Sequence, residues 1–326
     1  MAAMNILLTG SVAYDYLMFF PGYFRDHILP DKLEQISLSF LVESMVRMRG
    51  GTAPNIAYTL ALLGQRPRIF ATVGEDFEDY RQWLESKGVD TTWAKVIPGI
   101  FTASFFANTD RSNNQISSFY PGAMAYAGQL SLYELKDQLP DVVVISPNDP
   151  EAMKRYVVEC KQMNIPYIYD PSQQIVRMTG DELCAGIDGA EALFVNDYEF
   201  ALVQNMTCIA PEDILKQCKF LVVTRGRQGA SVYADGNEYQ IPVVPSEHIA
   251  DPTGVGDAFR GGFLTAYALG LDWLTCGRVG VLAATYCLEQ KGPQGHSYTP
   301  ADFLARYQLH FDDANKLDAL SVKSRS

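Results

Sequence analysis

The chain opens on a short apolar run, residues 5–10 (NILLTG), that ends in glycine. An unbroken apolar run closed by a turn residue predicts a buried strand. Comparable runs recur at 68–73, 142–146, 167–170, 192–196 and 220–224, and a further strand is expected at 230–233. Apolar residues at helical spacing predict helices at 52–64, 77–87, 151–163, 256–269 and 272–289. Thr52 is a candidate cap for the first helix, with Pro54 in its first turn and Gly64 at its end. Gly88 closes the second. Strands alternating with helices from residue 141 onward predict an α/β fold, with a mostly parallel sheet covered on both faces.

Two stretches break this rhythm. Residues 16–46 carry aromatic side chains, Pro21, Pro30 and an alternating segment at 35–42, a pattern of strands half exposed to solvent. Residues 103–108 and 115–119 predict a hairpin across the polar turn 109–114. The stretches about 16–46 and 99–120 are expected to pair into one small sheet lying over the mouth of the main domain. Residues 1–326 are thus read as a single domain with an inserted lid. The tail after about Asp312 is polar and is expected to fray.

Apolar residues make up 48% of the 326 and charged residues 20%, enough for a sizeable core in an ordinary soluble globule. The formal net charge of −12 argues against a nucleic-acid partner or an anionic membrane surface, both of which call for a basic face. It does not exclude nucleotide ligands, because local backbone amides bind phosphate inside an acidic protein. The six cysteines include no Cys-X-X-Cys pair and no zinc-like spacing with histidine, so reduced core thiols are expected. No leader-like segment and no apolar run of membrane-spanning length stands out, and a cytoplasmic protein is expected.

Chemistry concentrates in the run DPTGVGDAFRGG at 251–262. Gly254 and Gly256 flank Val255 immediately before an amphipathic helix. Such a turn aims successive backbone N–H groups into one concavity, and the helix start adds unpaired donors and a positive dipole end. That pocket suits charge developing on a phosphoryl group, and Asp257 at its lip suits a general base toward a hydroxyl. On residue chemistry alone, Asp257 serves equally well as a first-turn acid complementing the dipole. Asp15 closes a strand at its carboxyl end, where open α/β sheets place ligands, and is equally an ordinary turn residue. Gly50 and Gly51 permit close backbone approach, with Asn55 one helical turn on. Asn196 and Glu199 lie three apart and suit either a helix cap or water-mediated magnesium binding.

The run 251–262 resembles the C-terminal signature of the ribokinase (PfkB) family of sugar and nucleoside kinases. The resemblance extends over about residues 4–305. The segment 10–15, ending in Asp15, resembles the family's first strand and substrate-binding aspartate. Gly50, Gly51 and Asn55 resemble its sugar-holding double glycine and asparagine. Asn196 and Glu199 match its Asn-X-X-Glu motif, and Thr224, Arg225, Gly226 and Gly229 resemble the motif near the nucleotide phosphates. The resemblance implies a ribokinase-like fold with a β-sheet lid. It also implies ATP as phosphoryl donor, Mg2+ reached by Glu199 through water, and Asp257 as base beside the Gly254, Val255 and Gly256 turn. It leaves room for a monovalent cation and for a homodimer formed through the lid.

Within the family, residues 19–40, the segments 110–115 and 119–123, and Arg260 resemble bacterial and archaeal nucleoside kinases acting on adenosine. Phe19, Phe40, Phe106 and Phe119 are candidates for an aromatic slot around a purine, with Asn114 or Gln115 as amide partners. They are equally candidates for the lid's own small core. Adenosine phosphorylation at the 5′-hydroxyl is the expected activity, with a sugar kinase or a non-catalytic nucleoside-binding protein as alternatives. No Walker-type loop and no dinucleotide fingerprint is present, and the four histidines are scattered.

Overall fold

The computed structural model describes residues 4–29, 34–35, 37–317 and 320. Residues 30–33 and 36 of the expected first lid arm, Pro30 among them, lie outside the described residues, as does the end of the chain from 321. Strand β1 (Ile6–Thr9) leads into β2 (Ala13–Phe19) and β3 (Ser44–Gly50). Helix α1 (Thr52–Leu62), β4 (Arg68–Val73), α2 (Glu78–Ser86) and β5 (Ala94–Val96) follow, then the hairpin β6 (Ala103–Thr109) and β7 (Gln115–Tyr120). The chain next alternates through β8 (Val142–Ile145), α3 (Pro150–Met163), β9 (Tyr167–Tyr169), α4 (Gly180–Ile187), β10 (Ala192–Asn196) and α5 (Asp197–Thr207). A short α6 (Pro211–Ile214) precedes β11 (Phe220–Thr224), β12 (Ala230–Ala234) and β13 (Asn237–Ile241). Helices α7 (Val255–Ala268), α8 (Trp273–Leu288) and α9 (Pro300–His310) complete the fold.

The main sheet has nine strands in the order β13-β12-β11-β10-β9-β8-β1-β4-β5. Seven run parallel, and β12 and β13 add an antiparallel edge. Period-two alternation sorts the strand side chains into two cores. Ile6, Leu8, Val142 and Val144 face one helical layer, while Leu7, Val143 and Ile145 face the other. The second sheet, ordered β3-β2-β6-β7, joins the two lid stretches: β2 pairs antiparallel with β3 and parallel with β6. The lid therefore forms as expected, although its strands begin at Ala13 and the described residues of the alternating segment, 35 and 37–42, are not strand: β3 starts only at Ser44. The tail makes a short 3-10 turn at Ala314–Leu317, anchored by buried Leu317.

Helix α7 matters most for the site. Its Phe263 packs against Phe194 of β10 (ring centroids 5.2 Å apart) and Phe220 of β11 (6.0 Å). Burying a side chain of this size stabilises by about 2–3 kcal/mol. This seam fixes the helix on the sheet and so fixes where its N-terminus lies. All six cysteines are free; Cys160, Cys218, Cys276 and Cys287 are buried as expected, but Cys184 is half-buried and Cys208 is exposed, outside the core.

Candidate active site

A cleft of about 450 Å3 opens where the lid overhangs the carboxyl ends of the main strands. Ser11 beyond β1, Pro147 beyond β8 and Asp170 beyond β9 contribute from the sheet; Ala13, Asp15 and Phe119 contribute from the lid. Gly51, Thr52 and Asn55 enter from the start of α1, and Thr253, Gly254 and Asp257 from the start of α7. Residues more than 200 positions apart in sequence thus share one cavity, and Asn55 Nδ2 donates a 2.9 Å hydrogen bond to Asp257 Oδ2. Among the described residues, no helix is long and apolar enough to cross a membrane.

Gly254 caps α7 with φ of 79°, in the left-handed region. A Cβ there would fall 2.3 Å from Pro293 Cβ, so both the turn and the space require glycine. The first intrahelical bond runs from Ala258 N to Gly254 O (2.9 Å), which leaves the amides of Gly256 and Asp257 ahead of the helical ladder. Val255 opens the helix, and a Cβ on Gly256 would meet Arg260 Nη1 at 2.9 Å. Burial pushes the Asp257 carboxyl up to about 6, against the pull of Arg260 and the Asn55 hydrogen bond. A carboxylate poised there is charged at neutral pH yet holds a proton more readily than an exposed one.

Asp15 does not close a strand: it lies inside lid strand β2, opposite Met48 and Phe105, because the lid sheet already begins at Ala13. Burial first, and Asp251 second, push its carboxyl up to about 6. Gly51, with φ of 94°, lets the chain pass within van der Waals reach of Ser11 and Ala13; a Cβ would fall 2.5 Å from Ser11 O. Gly51, not Thr52, is the cap residue of α1, and Ser11 Oγ accepts the Thr52 amide at 3.1 Å. Phe119 lines the cleft. Gln115 opens β7, is exposed, and its side chain faces Thr109 Oγ1 (3.4 Å) outside the cleft. Phe40 packs with Phe20 and Phe24 in the lid's own core, and Phe106 stacks on Tyr16 at 4.9 Å.

Asn196 and Glu199 form a capping box at the start of α5: Asn196 Oδ1 accepts the Glu199 amide (2.7 Å), and Glu199 Oε2 accepts the Asn196 amide (2.8 Å). The other Glu199 oxygen accepts from Ser172 Oγ at 2.8 Å. Asn196 pairs with Thr224 at adjacent carboxyl ends of β10 and β11. Arg225 Nη2 donates to Tyr233 Oη at 2.8 Å, and Gly226 and Gly229 shape the tight turn that follows. These nucleotide-motif residues lie beside the cleft and do not line it.

Sequence reasoning missed the buried floor. Arg260 grips Asp170 through Nη2–Oδ1 and Nε–Oδ2 contacts, both 2.6 Å, directly behind Asp257. Burial drives the Asp170 carboxyl up and Arg260 pulls it back; Asp170 and Asp257 in turn hold the guanidinium above its ordinary value despite burial. The 3-10 turn Ser172–Arg177 supplies Gln173, Gln174 and Arg177 to the wall. No spacing pattern marks Asp170 or this turn; only the aspartate at a strand's carboxyl end offered a signal.

The chain matches the pfkB family carbohydrate kinase profile over residues 12–300. It is 28% identical over 308 residues to a nucleoside kinase of Methanocaldococcus jannaschii, an alignment covering 94% of this chain and 97% of that one. The structure of Burkholderia thailandensis nucleoside kinase in complex with inosine matches with a TM-score of 0.84 at 36% identity, over 94% of this chain and 97% of that one. The same enzyme in complex with ADP-inosine matches with a TM-score of 0.81 at 38% identity, over 94% and 96%. With a family match along nearly its whole length, a ribokinase-like sheet and lid, and the glycine turn and aspartate standing in one cleft, the chain belongs to the pfkB family of carbohydrate kinases and is a phosphotransferase.

Proposed function

We propose that this protein transfers the γ-phosphoryl group of ATP to the 5′-hydroxyl of a nucleoside, with adenosine the first acceptor to test. The observation that carries the reading is that Asp257 and Asp15 face one cleft, with Gly51 and Asn55 between them. Asp15 suits the paired ribose hydroxyls, Gly51 and Asn55 hold the sugar, and Asp257 takes the hydroxyl proton as the new P–O bond forms. The amides of Gly256 and Asp257 stabilise charge on the transferring group. Phe119 offers an apolar face to a base at the lid side, while the aromatic cluster around Phe40 serves the lid itself. The Burkholderia relative with inosine bound supports purine nucleosides as a class.

ATP suits the carboxyl ends of β10 and β11, near Thr224 and Arg225, and the relative in complex with ADP-inosine supports a nucleotide ligand. Among the described residues no group of three or more ligating side chains gathers as a metal cage. With both Glu199 oxygens already in protein hydrogen bonds, the residues fit magnesium held mainly by phosphate and water. The ion would supply charge neutralisation across the phosphates. A homodimer through the lid belongs to the same proposal: Met45 and Val46 on the edge strand β3 are exposed.

ADP release with Mg-ATP, measured against adenosine, inosine, guanosine, cytidine and ribose, tests the reading. Turnover of purine nucleosides, adenosine foremost, is expected. Turnover of ribose alone would overturn the nucleoside acceptor, and no turnover with any of them would favour a binding protein.

A further inference from the structure

Asn55 meets Asp257 through its Nδ2, and a hydrogen-bonded chain behind it determines that sense. Gln294 Nε2 donates to Asn55 Oδ1 at 3.0 Å and also to Tyr80 Oη. Tyr80 Oη donates in turn to the Gly50 carbonyl at 3.0 Å. Gln294 Oε1 accepts from Trp83 Nε1 at 3.1 Å. An indole nitrogen only donates. It therefore obliges Gln294 to present its oxygen to Trp83 and its NH2 group to Asn55 and Tyr80. Asn55 must then accept on Oδ1 and give its NH2 group to Asp257. Reversing Gln294 would set donor against donor at Trp83. It would also divert the Tyr80 proton from the Gly50 carbonyl and turn Asn55 Oδ1 toward Asp257, a contact only a protonated carboxyl satisfies.

We propose that Trp83, Tyr80 and Gln294 are positioning residues that fix the orientation of the Asn55 amide, so that Asp257 always faces a donor matched to its ionised form, while Tyr80, held by the same glutamine, anchors the Gly50 carbonyl at the foot of the lid. The proposal rests on the kinase reading for its consequence in turnover. None of the three lines the cleft. Gln294 and Tyr80 are buried, and Tyr80 stays a neutral phenol because burial drives its titration far up. Trp83 is held from outside by Arg49 (4.9 Å from its ring centroid) and Lys87 (4.3 Å), and it stacks on Tyr58. Because Arg49 belongs to β3, the strand that ends at Gly50, the lid and the base share one support. The charged or titratable groups facing Asp257 are Arg260 on its own helix, Asp170 beyond β9, Glu199 on α5 and Cys287 on α8, and none of them bonds to Gln294 among the described residues. When the acceptor's O–H proton passes to the free oxygen of Asp257, Oδ2 still accepts from Asn55, but the bond loses its charge assistance. That weakening favours return of the proton to solvent before the next turnover.

The test compares Q294E and Q294M with wild type. A carboxylate at 294 accepts from Trp83 and draws the Asn55 NH2 group toward itself, reversing the amide at Asp257. Methionine fills the space and leaves Asn55 free to donate to Asp257. Asp257 is titrated by 13C NMR of carboxyl-labelled aspartate, assigned with D257N, and kcat/KM for adenosine is followed against pH. In Q294E the Asp257 titration and the acidic limb are expected to move up together by about one pH unit, with kcat about 10- to 100-fold lower. In Q294M kcat is expected to fall about tenfold with the titration near its wild-type position. A Q294E titration indistinguishable from wild type would overturn the proposal. If Q294E does not fold, W83F decides: a threefold or greater loss of kcat with an upward-moved limb supports it, and wild-type behaviour at every pH overturns it. The NMR titration reads the network even if the wild-type protein turns over no nucleoside, so failure of the kinase reading and failure of this one remain distinct.

Discussion

Replacing Asp257 by asparagine is expected to move activity and stability in opposite directions. The carboxyl rises from an ordinary 3.8 to about 6, chiefly by burial. A shift of that size corresponds to at most about 3 kcal/mol against the ionised form in the folded protein. Because the folded state binds the proton more tightly than the unfolded chain, this penalty is absent below about pH 3.8. It grows as pH rises toward about 6 and is complete above that. Asparagine keeps an oxygen for Asn55 Nδ2 and carries no charge, so the penalty disappears. At pH 7.5, D257N is expected to melt a few degrees above wild type, and the difference should vanish near pH 4. Turnover should fall by about a thousandfold or more, because both the base and its charge are lost. Calorimetry across pH and a coupled ADP-release assay read the two effects separately. Turnover within tenfold of wild type would refute the assigned base, and a lower melting temperature at pH 7.5 would refute the burial argument.

Other outcomes follow from the same geometry. The acidic limb of wild-type kcat/KM should fall near pH 6, because Asp257 and Asp15 both titrate at about 6 and both are needed ionised; a limb near pH 4 would contradict this. D15A should raise the nucleoside KM about 10- to 100-fold while ATP binding, followed by calorimetric titration, stays as in wild type. G51A forces a Cβ to 2.5 Å from Ser11 O at φ of 94°, and urea denaturation should show a loss of at least about 2 kcal/mol together with lost activity. R260M leaves Asp170 buried without its partner and should cost about 3–5 kcal/mol in the same assay, with the acidic limb displaced upward because Arg260 also favours ionised Asp257.

Much of the layout was legible along the chain because each parallel strand is buried on both faces and so reads as an apolar run. The strands at Arg68–Val73, Ala192–Asn196 and Phe220–Thr224 have the bounds the pattern predicts. Strand β13 was missed because its residues are polar, although the Asp235 and Gly236 turn before it, with φ of 52° and 75°, offered a signal. Helices α4 and α9 were also missed, although each has a capping box, Thr179 with Glu182 and Thr299 with Asp302. The segment at 35–42 misled because alternation alone does not specify a pairing partner, and the neighbouring residues 44–50 took the edge of β2 instead.

For the site, sequence by itself determined the parts that act through backbone conformation and residue type. The glycine turn before α7, the double glycine before α1 and the aspartates beside them need only local geometry, and local geometry is written locally. The tertiary structure decided what depends on juxtaposition. It set Asn55 against Asp257 across 202 positions, buried Arg260 on Asp170 across 90, and brought Gln294 between Trp83 and Asn55. It also left Gln115 exposed on β7, outside the cleft lining, and put Asn196 and Glu199 into a helix cap. A carboxylate's titration and an amide's sense follow from burial and from the donors and acceptors facing it, and those are properties of packing that no single stretch of chain contains.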